Sequence, residues 1–296
     1  EYAIQSKTRL TYDWNDHIVL KMGGEFIHSN WEEQFTDENT QVFNSQVKEN
    51  FSAAFTEADI YFTRKLVARA GIRAEHSNFL GENTLAPRFS IAYQLSKNEQ
   101  VSLAAGQFYQ TPENELLRYH NQVNFERANH YILNYQIEKN NRTFRAELYH
   151  KDYDNLVKFD PEKPWISNNE GGGYARGLDI FYRDKKSINQ GDFWISYSYL
   201  DTERDYRDFP YAATPHFASK HNLSAVYKHF IADMNSVLGV TYAYGSPRPY
   251  FNPNHENFHS DLIKEFHDLS VNWSYLTNLF GQFTILHISA ANILGL

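Results

Sequence analysis

Apolar and polar residues alternate at period two along most of this chain, and this pattern constrains its fold more than any other feature. In the segment 268–275, which reads DLSVNWSY, every second residue is apolar, and the segment 88–95, RFSIAYQL, repeats the pattern. A helix places its apolar residues three or four positions apart, whereas successive side chains of a strand point to opposite faces. The alternation therefore predicts strands that each have one apolar and one polar face.

The same pattern recurs often enough to predict about fourteen strands. Their length is close to the 9–11 residues or so that a tilted strand needs to cross a bilayer. The expected strands lie near 2–12, 17–28, 48–63, 66–76, 87–95, 101–109, 129–137, 142–153, 174–183, 192–200, 220–228, 235–245, 266–276 and 282–292.

Composition excludes several other classes of protein. The chain of 296 residues has no run approaching the roughly 18 apolar residues of a membrane helix. Its net charge of -8 argues against a general nucleic-acid binder, which is normally basic. It has no cysteine, so disulfides and thiolate metal sites are excluded, and nothing in it indicates a cofactor. Aromatic residues make up 16%, which suits strands whose apolar side faces lipid and ends in aromatic girdles.

The connections between the predicted strands alternate between short and long. This sorting is typical of outer-membrane barrels, in which periplasmic turns are tight and extracellular loops are long. We therefore expect an all-β, antiparallel, up-and-down transmembrane barrel in the bacterial outer membrane. The short connections are Asp13–Asp16, Arg64–Lys65, Ser96–Gln100, Glu138–Asn141, His229–Met234 and Thr277–Gly281; the long ones are Ser29–Gln46, Gln110–Ala128, Asp154–Gly173, Asp201–Ser219 and Ser246–Glu265; Ser77–Ala86 and Asp184–Gly191 are intermediate.

The order of the connections also predicts the direction of each strand. The first strand runs into a short turn and the last one follows a short turn, so the first strand points down and the last points up. A complete bacterial barrel begins with an upward strand and ends with a downward one. We accordingly expect residues 1–296 to be part of a larger barrel domain, from which a plug domain, N-terminal strands and the last strand are absent.

Several ordered motifs resemble the barrel domain of TonB-dependent outer-membrane receptors, most closely those of the Bacteroidetes type. They read LAPRFSIAY at 85–93, AGQFYQTP at 105–112, ELYHKDYDNL at 147–156, GYARGLD at 173–179, SPRPY at 246–250 and SAANILG at 289–295. The resemblance implies a 22-stranded barrel with a plug, energised by the inner-membrane TonB complex. It implies import of a scarce ligand such as a siderophore, haem, cobalamin or a glycan, with outer-membrane lipid and a surface lipoprotein as further partners.

Two other functions remain open at this stage. A passive porin or a surface-adhesion barrel would show the same alternation without energised transport. An enzyme is not expected, because the sequence has no Gly-rich phosphate loop, no HExxH and no GxSxG. Ser219 and His221 lie close together, but thirteen histidines in the chain make such a pair common by chance.

The long loops contain the residues that we expect to contact a ligand. Aromatic rings stack on sugars and flat chelates, and arginine binds carboxylates or phosphates with two hydrogen bonds. The alternative is that these residues pack loop against loop. The candidates are Arg118, Tyr119, His120, Trp165, Tyr206, Arg207, Tyr211, His216, Arg248 and Tyr250.

His255 and His259 are weak candidates for a metal or haem iron. Their spacing would place them on one face of a helical turn, but no third ligand is indicated, so a solvated polar loop is the favoured interpretation and no metal site is expected.

Charged residues on the polar faces of the strands, such as Asp59, Arg69 and Arg73, are expected to form a cross-strand ladder of ion pairs.

Overall fold

One antiparallel sheet of fourteen strands dominates the computed structural model, which describes residues 2–36, 42–117 and 123–295, without the side chains of 35, 42, 43, 164 and 165. The strands pair in chain order, so that every neighbour in the sequence is a neighbour in space. They are β1 Tyr2–Asn15, β2 Ile18–Thr36, β3 Val42–Tyr61, β4 Leu66–Ser77, β5 Glu82–Ser96, β6 Glu99–Gln110, β7 Glu126–Lys139, β8 Arg142–Asp160, β9 Lys163–Asp184, β10 Gly191–Asp205, β11 His221–Ile231, β12 Ser236–Gly245, β15 Phe266–Leu279 and β16 Gln282–Ala290.

Three short elements lie between these strands. A helical turn α1, Asn114–Leu117, follows β6, and a 3₁₀ turn, Ala232–Met234, joins β11 to β12. A separate two-stranded ribbon, β13 Pro249–Tyr250 and β14 Asp261–Leu262, lies between β12 and β15. In the described part of the chain, β1 and β16 each pair with one neighbour only, so the sheet is open. No described helix is both long and apolar enough to cross a membrane.

The predicted fourteen antiparallel strands are confirmed, and the differences lie mainly at the long-loop end of the sheet. We use this name for the end that carries the β2–β3, β4–β5, β6–β7, β8–β9, β10–β11 and β12–β15 connections. There β3 begins six residues earlier than predicted and β9 eleven residues earlier, at Val42 and Lys163. Both loops continue as β-hairpins, because continued pairing satisfies the backbone groups that an irregular loop would leave unpaired.

Loop length is a less strict marker of side than the sequence indicates. The β4–β5 turn at the long-loop end has four residues, 78–81, whereas the β9–β10 turn at the opposite end has six, 185–190. Asp184 fixes this six-residue turn. Its carboxylate accepts the N–H groups of Lys186 and Ser187 at 2.7 and 2.8 Å and the Arg142 Nε–H at 2.8 Å. The turn 185–190 is therefore held by hydrogen bonds, although it is longer than the other turns at the same end of the sheet.

Register gives the sheet one apolar face. On β5 to β9, pairing aligns Ile91, Leu103, Leu133, Leu148 and Leu178 in one row across the strands. Several large apolar side chains on this face are about half exposed, including Leu103 at 53% and Leu148 at 52%. Such a continuous exposed apolar surface is what a strand sheet presents to lipid.

The opposite face, which we call the charged face, contains ion pairs that cross the strands. On β2 to β4, Asp59 accepts from Lys21 at 2.5 Å and from Arg69 Nε at 2.5 Å. Arg73 donates to Glu25 at 2.8 Å and to Glu75 at 2.5 Å. The predicted ion-pair ladder is therefore present. Residues paired directly across β2, β3 and β4 point to the same side of the sheet. The register therefore places all of these charges on one continuous face.

Candidate functional site

The connections at the long-loop end pack against one another and form the two hydrophobic cores of the described chain. We call this assembly the loop cap. The first core contains four buried residues, Val47, Leu117, Val123 and Val157, and is surrounded by partly buried apolar residues. These four residues come from β3, α1, the segment before β7, and β8. Three different connections therefore share one core.

The second core joins the end of β8 to the β10–β11 connection. Its buried members are Leu156, Tyr206 and Phe209, and Phe258 of the β12–β15 connection packs against them. Phe209 meets Phe258 edge to face at 4.8 Å between ring centroids. The main-chain N–H of Phe258 donates to the Tyr211 hydroxyl at 2.9 Å. Aromatic packing thus docks two loops that are distant in sequence.

Arg207 connects the two cores through its backbone and its side chain. Its N–H donates to the Val157 carbonyl at 2.6 Å, and its carbonyl accepts the Phe159 N–H at 2.9 Å. Its guanidinium pairs with Glu113, just before α1, at 2.6 Å. Arg207 has a φ of 53°, in the left-handed region that few non-glycine residues adopt. The β10–β11 connection is therefore anchored to β8 at this residue.

Glu126 lies beneath this junction, at the first position of β7. Its Oε1 accepts the Val157 N–H at 3.0 Å. Burial raises the pKa of its carboxyl above the usual range, and the charge of Glu113 acts in the same direction; the Val157 hydrogen bond and the charges of Arg207 and Arg204 oppose this shift without cancelling it. The loop cap therefore contains a partly buried acid that resists ionisation.

Arg88, Lys151 and Arg204 are cations of the charged face that form no ion pair among the described residues. Arg88 lies 4.5 Å above the ring of Phe108, and Lys151 lies 5.4 Å from the ring of Tyr149. The Nε atoms of both arginines are buried without a hydrogen-bond partner in the described chain. These side chains are held by rings and stay free to meet an anion.

Two glycines make room for these arginines on the neighbouring strands. A Cβ at Gly106 would lie 3.3 Å from Arg88 Cγ, and a Cβ at Gly173 would lie 3.1 Å from Arg204 Cγ. Arg204 reaches across Gly173 to the ring of Tyr153, 4.3 Å from its guanidinium carbon. Sequence reasoning missed this group, because the pairing of an arginine with a glycine becomes visible only once the register is known.

The predicted ligand-contact residues have diverse positions in the structure. Arg118, Tyr119 and His120 lie outside the described residues, and the side chain of Trp165, on β9, is likewise not described. Tyr206 is buried in the second core, while Tyr211, His216, Arg248 and Tyr250 are exposed. Their role in binding stays a prediction. Tyr206 and Tyr211 contact Phe209 and Phe258 of one aromatic cluster, and the Arg207 guanidinium lies 5.7 Å from the Tyr206 ring.

The two histidines considered for a metal have separate environments. His255 Nδ1 lies 2.7 Å from the Asp261 carboxylate, which also accepts from Asn252 at 2.5 Å. His259 Nδ1 faces the Thr214 carbonyl at 2.9 Å. No cluster of three or more His, Cys, Asp or Glu residues suited to a metal ion occurs in the part of the chain that the structure describes.

Comparison with known proteins identifies the family of this chain. Residues 2–293 match the family model described as TonB dependent receptor-like, beta-barrel. No curated protein matches the chain.

Solved structures with the same fold include three proteins of low sequence identity. The FrpB iron transporter from Neisseria meningitidis has 13% identity and a TM-score of 0.76, over 98% of this chain and 50% of its own. The outer membrane transporter YddB from Escherichia coli has 12% identity and a TM-score of 0.76, over 99% and 50%. The ferric-catecholate import receptor Fiu from E. coli K12 has 10% identity and a TM-score of 0.76, over 99% and 50%.

These likenesses show the fold, and this chain spans about half the length of the structures it matches. The family is one of receptors rather than of enzymes. Fourteen antiparallel strands in chain order, an apolar face, a charged face and a match over residues 2–293 agree with one another. The chain belongs to the TonB-dependent receptor family and has the fold of its β-barrel domain.

Proposed function

We propose that this chain forms part of the wall and of the extracellular cap of an energised importer in the bacterial outer membrane. The match to the TonB-dependent receptor family supports this proposal. In it, the apolar face contacts membrane lipid, the charged face lines the lumen, and the loop cap contacts the ligand. The inner-membrane TonB complex supplies the energy through a plug domain, and a surface lipoprotein is a further partner.

The observation that carries the ligand class is the set of unpaired cations on the charged face. The cations Lys21, Arg69 and Arg73 of β2 to β4 are paired with acids, whereas Arg88, Lys151 and Arg204 form no ion pair among the described residues. Each contacts an aromatic ring, so the wall offers positive charge beside flat apolar surfaces. This combination suits an anionic, ring-containing chelate.

Among the ligands that the family resemblance implies, anionic siderophores fit this wall best. Three proteins of the same fold are an iron transporter, a ferric enterobactin receptor and a ferric-catecholate import receptor. Cobalamin and neutral glycans do not need unpaired cations in the wall. A ferric catecholate chelate is therefore the first ligand to test.

The test is uptake of iron-55, supplied as a ferric catecholate chelate, by cells with and without the full-length receptor. We expect receptor-dependent uptake that stops when a protonophore dissipates the inner-membrane proton gradient. Uptake that continues unchanged would indicate the passive porin instead. Absence of receptor-dependent uptake of this chelate would overturn the ligand class.

Two substitutions make the test specific to the cationic wall. Arg88→Gln and Lys151→Gln are each expected to reduce uptake of the anionic chelate, because each removes a cation that forms no ion pair with a described acid. Arg69→Gln is the matched control, since Arg69 lies on the same face but is already paired with Asp59. Equal loss in all three variants would contradict a role for the unpaired charges.

A further inference from the structure

Exposed cations occur in four successive turns at the end of the sheet opposite the long-loop end, which we call the short-turn end. These turns join β3 to β4, β5 to β6, β7 to β8 and β9 to β10, and they follow one another along the edge of the wall. The chain as a whole is acidic, with a net charge of -8, so this positive charge is a local feature. We call these cations the basic rim; they are Arg64, Lys65, Lys97, Lys139, Lys185 and Lys186.

The cations of the basic rim are not neutralised by ion pairs. All of them are exposed, and none pairs with an acid among the described residues. Arg142, across the β7–β8 turn from Lys139, differs because its Nε donates to the buried carboxylate of Asp184 at 2.8 Å. Glu99 and Glu138 lie in the same region but form no ion pair with the rim either. The ammonium and guanidinium groups therefore remain available to an external anion.

Backbone and side-chain hydrogen bonds link these turns to one another. The Lys65 carbonyl accepts the Gln94 N–H of β5 at 2.8 Å. The Asn98 side chain of the β5–β6 turn donates to the Glu138 carbonyl of β7 at 2.6 Å. The Lys185 N–H donates to a carbonyl of the β7–β8 turn at 3.1 Å. The backbone that carries the cations is thus ordered before any ligand binds, which reduces the entropic cost of binding.

Aromatic rings on the apolar face show the depth of the basic rim in the membrane. They occupy alternate positions of the same strands as the apolar row of Leu103 and Leu148, and each lies within five residues of a turn of the rim. Such rings form the girdle at the boundary between hydrocarbon and water. The rings are Tyr93, Tyr135, Phe144, Tyr182 and Phe193.

The turns are too short to carry the cations far beyond this girdle. They have two to six residues, and a strand advances only about 3.3 Å per residue. A turn that leaves the sheet and returns within six residues therefore reaches roughly 10 Å at most. This is the depth of the lipid headgroups, so the cations of the rim lie beside lipid phosphates rather than in bulk water.

We propose that the basic rim binds the phosphate groups of anionic phospholipids in the membrane leaflet at the short-turn end. This inference rests on the proposed function, which places the apolar face in the bilayer. Lys and Arg are attracted to an anionic lipid surface, and they donate charge-assisted hydrogen bonds to phosphate oxygens. Successive turns of the rim are two strands apart, or about 10 Å, so each can contact its own headgroup. A zwitterionic headgroup brings its own cation and should bind more weakly.

Two double substitutions remove positive charge from the rim without removing a buried side chain. A matched control, Lys163→Gln with Lys264→Gln, removes two exposed lysines of the long-loop end that also form no ion pair with a described residue. The hydrogen bonds between the turns use none of the substituted ammonium groups, so we expect every variant to fold. The rim variants are Lys97→Gln with Lys139→Gln, and Lys185→Gln with Lys186→Gln.

The experiment titrates the purified full-length receptor in detergent with phosphatidylglycerol or with phosphatidylcholine. Native mass spectrometry counts the bound lipids and gives the dissociation constant of each. The titration is repeated with excess inorganic phosphate, and binding to purified peptidoglycan sacculi is measured by co-sedimentation. Circular dichroism of each variant verifies the β-structure.

We expect phosphatidylglycerol to bind more tightly than phosphatidylcholine, and each rim variant to lose at least about tenfold of that affinity, because two cations near the lipid are removed. The long-loop-end control should bind as the unsubstituted receptor does. Added salt should weaken binding to the unsubstituted receptor more than to the rim variants.

Several results would overturn the proposal. Equal binding of the two lipids, or an equal loss in the long-loop-end control, would show that the rim does not select anionic headgroups. Displacement of the lipid by inorganic phosphate would assign the rim to free anions. Sacculus binding that depends on the rim, with unchanged lipid binding, would assign it to the cell wall. Because these measurements use purified receptor, their failure is distinguishable from a failure of energised uptake.

Discussion

Leu156 and Val157 are consecutive residues of β8, yet each belongs to a different hydrophobic core of the loop cap. A strand normally places neighbours on opposite faces, and here the register also shifts between Asp154 and Leu156. Asn155 between them has a left-handed φ of 58°. Because of this irregularity, Leu156 and Val157 pack against two different sets of connections. This part of β8 therefore links the two cores of the loop cap.

Leu156→Ala is expected to loosen the β10–β11 connection without unfolding the sheet. Removing a buried leucine side chain costs about 2–5 kcal/mol, and the sheet pairing below does not depend on this core. Limited proteolysis of the full-length receptor in membranes should show faster cleavage between residues 201 and 220. Glu162→Gln, at an exposed position of the same hairpin, is the control and should leave the cleavage pattern unchanged.

Arg73→Met should destabilise the wall by about 3–5 kcal/mol, because it leaves two nearly buried carboxylates, Glu25 and Glu75, without their shared cation. Thermal unfolding in detergent measures the effect. Replacing both acids with glutamine in the same chain should recover most of the loss. If the triple variant is as unstable as Arg73→Met alone, packing rather than charge explains the result.

Arg145→Met is the companion change on the same face. Arg145 pairs with Glu147 at 2.8 Å, but its side chain is 52% exposed. Exposed pairs contribute about 0–1 kcal/mol, so the unfolding midpoint should barely move. A loss as large as that of Arg73→Met would contradict the distinction between buried and exposed pairs.

The backbone of Arg207 is predicted to contribute more than its charge to the anchoring of the β10–β11 connection on β8. Arg207→Val places a β-branched residue at a φ of 53° and should cost about 1–3 kcal/mol, whereas Arg207→Gly removes the same side chain without that strain. Hydrogen exchange at the amide of Phe159, which donates to the Arg207 carbonyl, reports the difference. Equal exchange in both variants would show that the guanidinium contact with Glu113 is what holds the loop.

The partly buried carboxyl of Glu126 makes the stability of the loop cap depend on pH. Because its pKa is raised in the folded state, the unfolded chain ionises first, so the cap loses stability as the pH rises from the ordinary glutamate range through the raised pKa. Glu126→Gln keeps an acceptor for the Val157 N–H and removes the titration. We expect the variant to match the unsubstituted receptor in acid and to be more resistant to proteolysis at neutral pH. If Glu126→Gln were cleaved faster than the unsubstituted receptor at neutral pH, the raised pKa of Glu126 would be contradicted.

Much of the sheet could be predicted from the sequence, because the period of two is a local property. The segment 88–95 reveals its two faces without any knowledge of its neighbours, and the expected strand at 266–276 begins at the observed residue. The extension of β9 back to Lys163 could not be predicted. Its residues alternate poorly and are strands because β8 continues to pair with them.

The loop cap could not be predicted because its contacts join residues far apart in the chain. Glu113 and Arg207 are separated by 94 positions, and the partner of Tyr211 is the backbone of Phe258. Composition identified the loops as rich in rings and arginines. It could not show that Tyr206 is buried while His216 is exposed, since both depend on how two loops dock.

The shared cores of the loop cap have an immunological consequence. Val47, Leu117, Val123 and Val157 come from distant parts of the sequence but shape one surface, so the epitopes above them are composite. Antibodies raised against a synthetic peptide from one connection should recognise the denatured chain and fail on intact cells. A vaccine antigen built on this surface would have to present the folded assembly.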